Sequence, residues 1–184
     1  IYLQTEQIKL LMGCLLHDIG KVLYRVGESG THSSSGYDFL LNEIKIEDQE
    51  ILDCIRFHHA ADIKKANLEK NALAYICYFA DNIAAAIDRR EGKNTGDGFD
   101  RSVPLASVFN LLNGNDKKGH YARRVLDPKA PINYPTTADI KMDDSFYESV
   151  QRNITENLKG LAFSEEYLVS LLEVLEANLS YVHD

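Results

Sequence analysis

Apolar residues recur along this chain at helical spacing, and the pattern predicts an all-α fold. Ile8, Leu11, Met12, Leu15, Leu16 and Ile19 share one face of a first helix that carries His17 and Asp18 near its C-terminal end. Gly20 breaks or bends that helix, and Val22, Leu23 and Tyr24 read as a short second helix or turn. Residues 27–35 (GESGTHSSS) read as a Gly/Ser loop holding His32. Short helices follow over 37–44 and 47–57. The second has Ile51, Leu52 and Ile55 on one face and His58-His59 at its end.

The clearest helix spans 71–90. Leu73, Ile76, Cys77, Ala80, Ala84 and Ile87 form its expected buried stripe. Arg89 and Arg90 suit the negative end of its dipole, and Gly92 is a natural stop. Asp81 falls four residues after Cys77 and three before Ala84, on the same stripe. A buried carboxylate needs a partner to stay charged, and a metal ion is a good one. The polar, Gly-rich stretch 91–103 predicts a mobile loop. Residues 104–112 read as a short helix with Pro104 at its first position. Residues 113–136 read as irregular with a small hairpin. Two helices over 144–161 and 164–182 close the chain, the last one capped by Ser164 and followed by Glu165 and Glu166. No internal repeat is evident.

Length and composition narrow the class. With 184 residues, 45% of them hydrophobic, the chain can bury one ordinary core, with or without an appendage. Its apolar runs are too short to span a bilayer, and residues 1–16 lack the basic head and cleavage site of a signal peptide. A start at Ile1 rather than Met predicts a piece of a longer chain. Cys14, Cys54 and Cys77 are odd in number, lack CxxC spacing and sit in apolar helical patterns. They read as reduced core residues of a cytoplasmic protein. The formal charge of −8 repels phosphate backbones and argues against a free-standing nucleic-acid binder. A nuclease stays open, because bound metal ions supply local positive charge. Lys64-Lys65, Arg89-Arg90, Lys117-Lys118 and Arg123-Arg124 read as solvated faces or helix ends.

The candidate chemistry centres on His17-Asp18-Ile19-Gly20-Lys21, joined downstream by His32, His58-His59 and Asp81. Imidazoles with carboxylates suit borderline divalent metals such as Zn, Mn, Fe, Co or Ni. Adjacent helical residues point about 100° apart. His17 and Asp18 therefore share an ion only if the helix end distorts, or else Asp18 bridges two ions. Two-metal phosphodiester hydrolases hold ions ~4 Å apart. In one consistent assignment His17, Asp18 and Asp81 hold the first ion, and Asp18, His32 and His58 or His59 hold the second. A water between them attacks phosphorus, and Lys21 neutralises a phosphate oxygen. Taken singly, each residue has an ordinary reading: His32 on a surface loop, His58-His59 as a helix cap, Asp81 in a salt bridge. The ordered set of HD, H, HH and D weakens those readings jointly. His120 and His183 read as polar surface residues. Asp88 is an ordinary helix carboxylate or a supporting residue.

LLHDIGK (15–21) resembles the HD-domain metal-dependent phosphohydrolase superfamily. THSSSG (31–36), FHHA (57–60) and YFADNIAAAIDRRE (78–91) narrow the likeness. Together they resemble the N-terminal HD domain of the large, polymerase-like subunit of type III-A CRISPR effector complexes, the Csm branch. The likeness is strongest over 8–91 and weaker through PLASVFN (104–110) and the C-terminal helices. It implies an all-α HD helical bundle, circularly permuted, with a core over 1–132. A helical pair over 133–184 would pack on that core and lead toward a palm domain. It also implies a nuclease acting on single-stranded DNA with a divalent transition metal, two ions of Mn, Ni or Co rather than Mg. Other subunits of a CRISPR ribonucleoprotein and its crRNA are the implied partners, with no membrane. His17, Asp18, His32, His58, His59 and Asp81 match the family's metal residues. The palm GGDD motif for cyclic oligoadenylate synthesis does not occur in these 184 residues. Many HD enzymes carry a metal-binding His before the HD pair; residues 1–16 have none, so the first ion is expected to be loosely held. A phosphohydrolase of small nucleotides and a non-catalytic docking domain are the rival readings.

Overall fold

The computed structural model describes residues 3–27, 29–88, 105–110, 112, 118–138, 140, 145–160 and 164–180. Among these, α1 (Thr5–Leu16), α2 (Gly20–Val26), α3 (His32–Phe39), α4 (Gln49–Arg56), α5 (Ala60–Ile63), α6 (Leu73–Asp88), α7 (Ser145–Leu158) and α8 (Glu165–Leu179) carry nearly all regular structure. A helical bundle is what the apolar spacing predicts.

Helix α4 is the central strut. Ile51, Leu52, Cys54 and Ile55 are fully buried, and α1, α3 and α6 all pack on it. Asp48 caps its start, accepting from the Glu50 and Ile51 amides at 3.1 and 3.3 Å. That satisfies two of the amides a helix N-terminus leaves open. Lys9 of α1 pairs with the same Asp48 at 2.8 Å, tying the two helices together. Ile8, Met12 and Leu16 of α1 enter the core, whereas Leu11 is 41% exposed and leaves the expected stripe. The C-terminal helices share this core through Val150, Ile154, Leu158, Tyr167, Leu171 and Leu175. Ser164 caps α8 as its sequence predicts, accepting from the Tyr167 amide at 3.1 Å.

Three local expectations need correction. His32 is not in a loop. Thr31 caps α3, its hydroxyl accepting from the Ser34 amide at 3.3 Å, and His32 is the first helical residue. Small residues build the buried face of its first turns, Ser33, Ser35 and Gly36, and Phe39 follows in the part that the expected helix over 37–44 already covers. A face of that kind carries no apolar periodicity, so the sequence reads as loop. A π-helical turn, Leu40–Ile44, continues α3 and closes at Lys45 in the left-handed region, φ 69°.

The buried stripe of α6 is shorter than expected. Ala74 and Cys77 are buried, but Ile76 is 51% exposed and Ala80 and Ala84 are exposed. Among the described residues, nothing covers these positions. The helix expected over 104–112 is likewise replaced, where described, by β1 (Leu105–Ala106) and a 3-10 turn, Val108–Asn110. Strand β1 pairs antiparallel with β2 (His120–Tyr121), and His120 also bridges to Thr136. The Asn110 side chain clamps Gly119, accepting from its amide at 2.9 Å and donating to its carbonyl at 2.7 Å. The small hairpin expected within 113–136 is instead a pairing of 120–121 with 105–106, which lie outside that stretch, and only the His120–Thr136 bridge lies within it. The loop expected over 91–103, together with Arg89, Arg90 and Gly92, lies outside the described residues.

Helix α1 stops at Leu16, and a turn over residues 17–19 leads into α2. The turn sits tightly on α3. A Cβ at Gly20 would lie 1.8 Å from the His32 carbonyl oxygen and 2.8 Å from the Gly36 amide nitrogen. Only glycine lets α2 start this close to α3. Gly20→Ala is therefore expected to force the helices apart and destabilise the chain by about 1–3 kcal/mol or more, the scale of overpacking. Urea unfolding monitored by circular dichroism measures this directly.

Candidate metal centre

In the turn after α1, His17 Nε2 and Asp18 Oδ2 lie 3.2 Å apart. The ring of His17 is anchored by Nδ1, which donates to the Cys14 carbonyl at 2.7 Å. His58, directly after α4, is anchored alike to the Ile55 carbonyl at 2.6 Å. With Nδ1–H committed to a carbonyl, the neutral ring presents its Nε2 lone pair to the site. Backbone carbonyls are the usual orienting partners of ligand imidazoles.

All six metal residues named from the sequence come together. His17 Nε2 also lies 3.5 Å from Asp81 Oδ1. On the other side, Asp18 Oδ1 lies 3.4 Å from His32 Nε2 and 3.7 Å from His58 Nε2. His32 Nε2 stands 3.2 Å from His58 Nε2 and 2.7 Å from His59 Nε2. Two donors each ~2.1 Å from a shared ion stand ~3.0–3.4 Å apart in octahedral or tetrahedral geometry. His32 and His58 stand at that spacing, His32 and His59 slightly closer, and the ligand atoms of all three lie within 4.8 Å of one another. The donor set therefore fits a divalent metal. Lys21 also reaches the centre, but its Nζ pairs with Asp18 Oδ2 at 2.8 Å.

Each ionisation follows from these neighbours. Burial opposes the charge of Asp18, yet His17 and Lys21 outweigh it and hold the carboxyl well below the usual range. Burial likewise disfavours a charged His17, but Asp18, the Cys14 carbonyl and Asp81 raise it to about 9. His58 is lowered to about 4, first by burial and then by its neighbour His59. Burial also lowers His32, with His59, Lys21 and His17 adding to the effect against Asp18. One side of Asp18 thus holds neutral donors, and the other a protonated imidazole.

The groups line a cleft of about 550 Å³. Tyr78, Asn82 and Ala85 of α6 share its wall with Asp81, and Ala60 and Ala84 complete it. Sequence reasoning missed Tyr78 and Asn82. The available signal was their spacing, since positions 78, 81, 82 and 85 fall on one helical face. Behind the site the three cysteines are free thiols, as expected. A hydrogen bond to Cys77, with burial, raises the Cys14 thiol far above its usual range. His120 lies in β2, its ring within reach of the Lys118 and Ala138 carbonyls. His183 and the Asp88 side chain lie outside the described residues.

A helical bundle that brings His17-Asp18 and three further histidines at helix ends against Asp81 from the middle of α6 is the arrangement of an HD domain. The HD domain family matches residues 2–86, and the chain carries an HD domain there. Within that class the chain is similar to Cas10/Csm1 proteins of subtype III-A CRISPR systems. It is 34% identical over 189 residues to the CRISPR system single-strand-specific deoxyribonuclease Cas10/Csm1 of Enterococcus italicus, covering 97% of this chain and 25% of the relative. Its fold is similar to the crystal structure of Csm1 from T. onnurineus, with TM-score 0.66 and 26% identity over 99% of this chain and 25% of that one. It is also similar to a Csm1–Csm4 subcomplex of the type III-A CRISPR-Csm interference complex, with TM-score 0.63 and 26% identity over 95% of this chain and 24% of that one. The chain spans about a quarter of the length of the curated relatives it matches. HD domains are metal-dependent hydrolases. None of the described helices is long and apolar enough to cross a membrane.

Because His17 is protonated at neutral pH before a cation arrives, binding at its Nε2 must displace that proton. Titrating Mn into the chain at pH 7 is expected to release about one proton from this residue, falling toward zero above about pH 10. Affinity at the His17 side therefore weakens as pH falls. Calorimetry in buffers of different ionisation enthalpy counts the protons; a heat independent of buffer contradicts the assignment.

Proposed function

We propose that this chain hydrolyses phosphodiester bonds of single-stranded DNA with two divalent cations, as part of a subtype III-A CRISPR effector. The observation that carries the reading is the orientation of Asp18. Its Oδ2 faces His17 and Lys21, while its Oδ1 faces His32 and His58. A carboxylate whose two oxygens serve two separate donor groups is suited to bridging two ions. His17 and Asp81 would complete one coordination shell, and His32, His58 and His59 the other. Bound there, two cations supply Lewis acidity to the scissile phosphate and lower the pKa of the attacking water.

The chain's own groups do the rest. Nδ1 anchoring keeps the His17 and His58 rings in place without reorganisation during the reaction. Asp18 stays ionised across the working pH range, as a bridging ligand must. Lys21, whose Nζ pairs with Asp18 Oδ2 at the edge of the centre, would hold a phosphate oxygen of the substrate. An imidazole-rich set favours Mn, Ni or Co over Mg, which prefers oxygen ligands and keeps its waters.

Strand preference is supported by the relatives, which are described as single-strand-specific deoxyribonucleases. A Csm4-like subunit is the partner class that the Csm1–Csm4 structure supports, and a crRNA-bearing complex the wider setting. In this reading residues 1–132 form the nuclease core, 133–184 a supporting helical pair, and the setting is cytoplasmic. A small nucleotide remains the second candidate substrate, because the charge of −8 disfavours long polyanions.

A panel of single-stranded and duplex oligonucleotides, nucleotide monophosphates and nucleotide triphosphates under Mn, Co, Ni and Mg separates these readings. Cleavage of the single strand with Mn, Co or Ni is expected. No oligonucleotide cleavage with any metal overturns the reading. Asp18→Asn is expected to fold normally by circular dichroism yet lose roughly 100-fold or more in rate, the scale of removing a preorganised electrostatic group.

A further inference from the structure

The metal chemistry leaves one feature of the cleft without a role: the aromatic ring of Tyr78. Tyr78 precedes Asp81 by three residues, so both rise from one helical face a single turn apart. Both line the cleft. The ring of Tyr78 meets that of Phe79 with centroids 5.3 Å apart and planes at 63°. Phe79 itself is 61% exposed. A pair of aromatic rings therefore stands beside the metal centre, one in the cleft and one outside it. Ala60, Ala84 and Ala85 line the same cleft, and their short side chains leave its volume to a ligand.

Electrostatics explain why such a ring matters here. The chain carries a net charge of −8. Among the described residues lining the cleft, Lys21 supplies the ammonium group, and it is paired with Asp18. Charge attraction is therefore a poor source of grip on a strand away from the cations. Stacking on an aromatic face is not weakened by acidic surroundings, and it strengthens binding by roughly 5- to 150-fold per base whatever the sequence. Stacking also discriminates. In a duplex each base already stacks on its neighbours, whereas an unpaired base can turn out onto a protein ring.

We propose that Tyr78 is a substrate-positioning residue, stacking on a nucleobase beside the phosphate at the metal centre and giving the site its preference for single strands. This rests on the phosphodiesterase reading of the cleft. Asn82 contributes less, since its amide already donates to the Tyr78 carbonyl at 2.7 Å.

The test uses the Mn-loaded chain and two strands of equal length, one an ordinary single-stranded deoxyoligonucleotide and one built of abasic tetrahydrofuran units. Tyr78→Ala is expected to raise KM on the ordinary strand by about tenfold or more, within the range for loss of one stacked base, and leave kcat nearly unchanged. On the abasic strand Tyr78→Ala and the parent should be equal. Tyr78→Phe, which keeps the ring, should match the parent on both strands. Equal KM for parent and Tyr78→Ala on the ordinary strand overturns the proposal. So does an equal loss on both strands, which would mean that the substitution merely disturbs Asp81. Cleavage of neither strand by the parent overturns the phosphodiesterase reading and the proposal with it.

Discussion

The site depends on the interruption of one helix. His17 and Asp18 sit where α1 stops at Leu16, in the turn that leads into α2, and their side chains meet at 3.2 Å. The break is held by packing rather than by its own sequence. Gly20 lets α2 begin directly against the carbonyl of His32, so the same close approach that shapes the turn also brings the third ligand group to it. Fold and site are one constraint here: loosening the contact between α2 and α3 moves His17, Asp18 and His32 together.

Charge is arranged with equal economy. Three imidazoles crowd within reach of one another, which is tolerable because burial keeps His58 and His32 neutral. On the other side two carboxylates face His17 and raise its affinity for a proton. The two carboxylates are thus balanced by a proton on His17 and by Lys21 on Asp18. Both are positive charges that a divalent cation can replace without leaving the carboxylates unpaired.

Much of this was legible in the sequence, and the exceptions share a cause. The ligand residues are chemically distinctive, so His17, Asp18, His32, His58, His59 and Asp81 could be named before their geometry was known. Helices with apolar stripes, such as α4 and α8, announce themselves by spacing. The first turns of helix α3 do not, because Ser33, Ser35 and Gly36 make their buried face, and close packing of small residues has no hydrophobic period. Helix α6 fails in the opposite sense. Ile76, Ala80 and Ala84 have the right spacing for burial but are exposed among the described residues, since periodicity says which residues share a face and not what covers it. The β1–β2 pair depends on Asn110 clamping Gly119, a contact across nine residues that local patterns do not encode. Tyr78 and Asn82 were overlooked because each is unremarkable alone, and only their register with Asp81 places them in the cleft.

The bridging role of Asp18 is the centre of the account, and anomalous diffraction from Mn-soaked crystals tests it most directly. Two anomalous peaks about 4 Å apart are expected, the separation of a two-metal site. One should lie by His17 and Asp81, the other by His32, His58 and His59, with Asp18 between them. A single peak among the three histidines, with neither oxygen of Asp18 in contact, would contradict it.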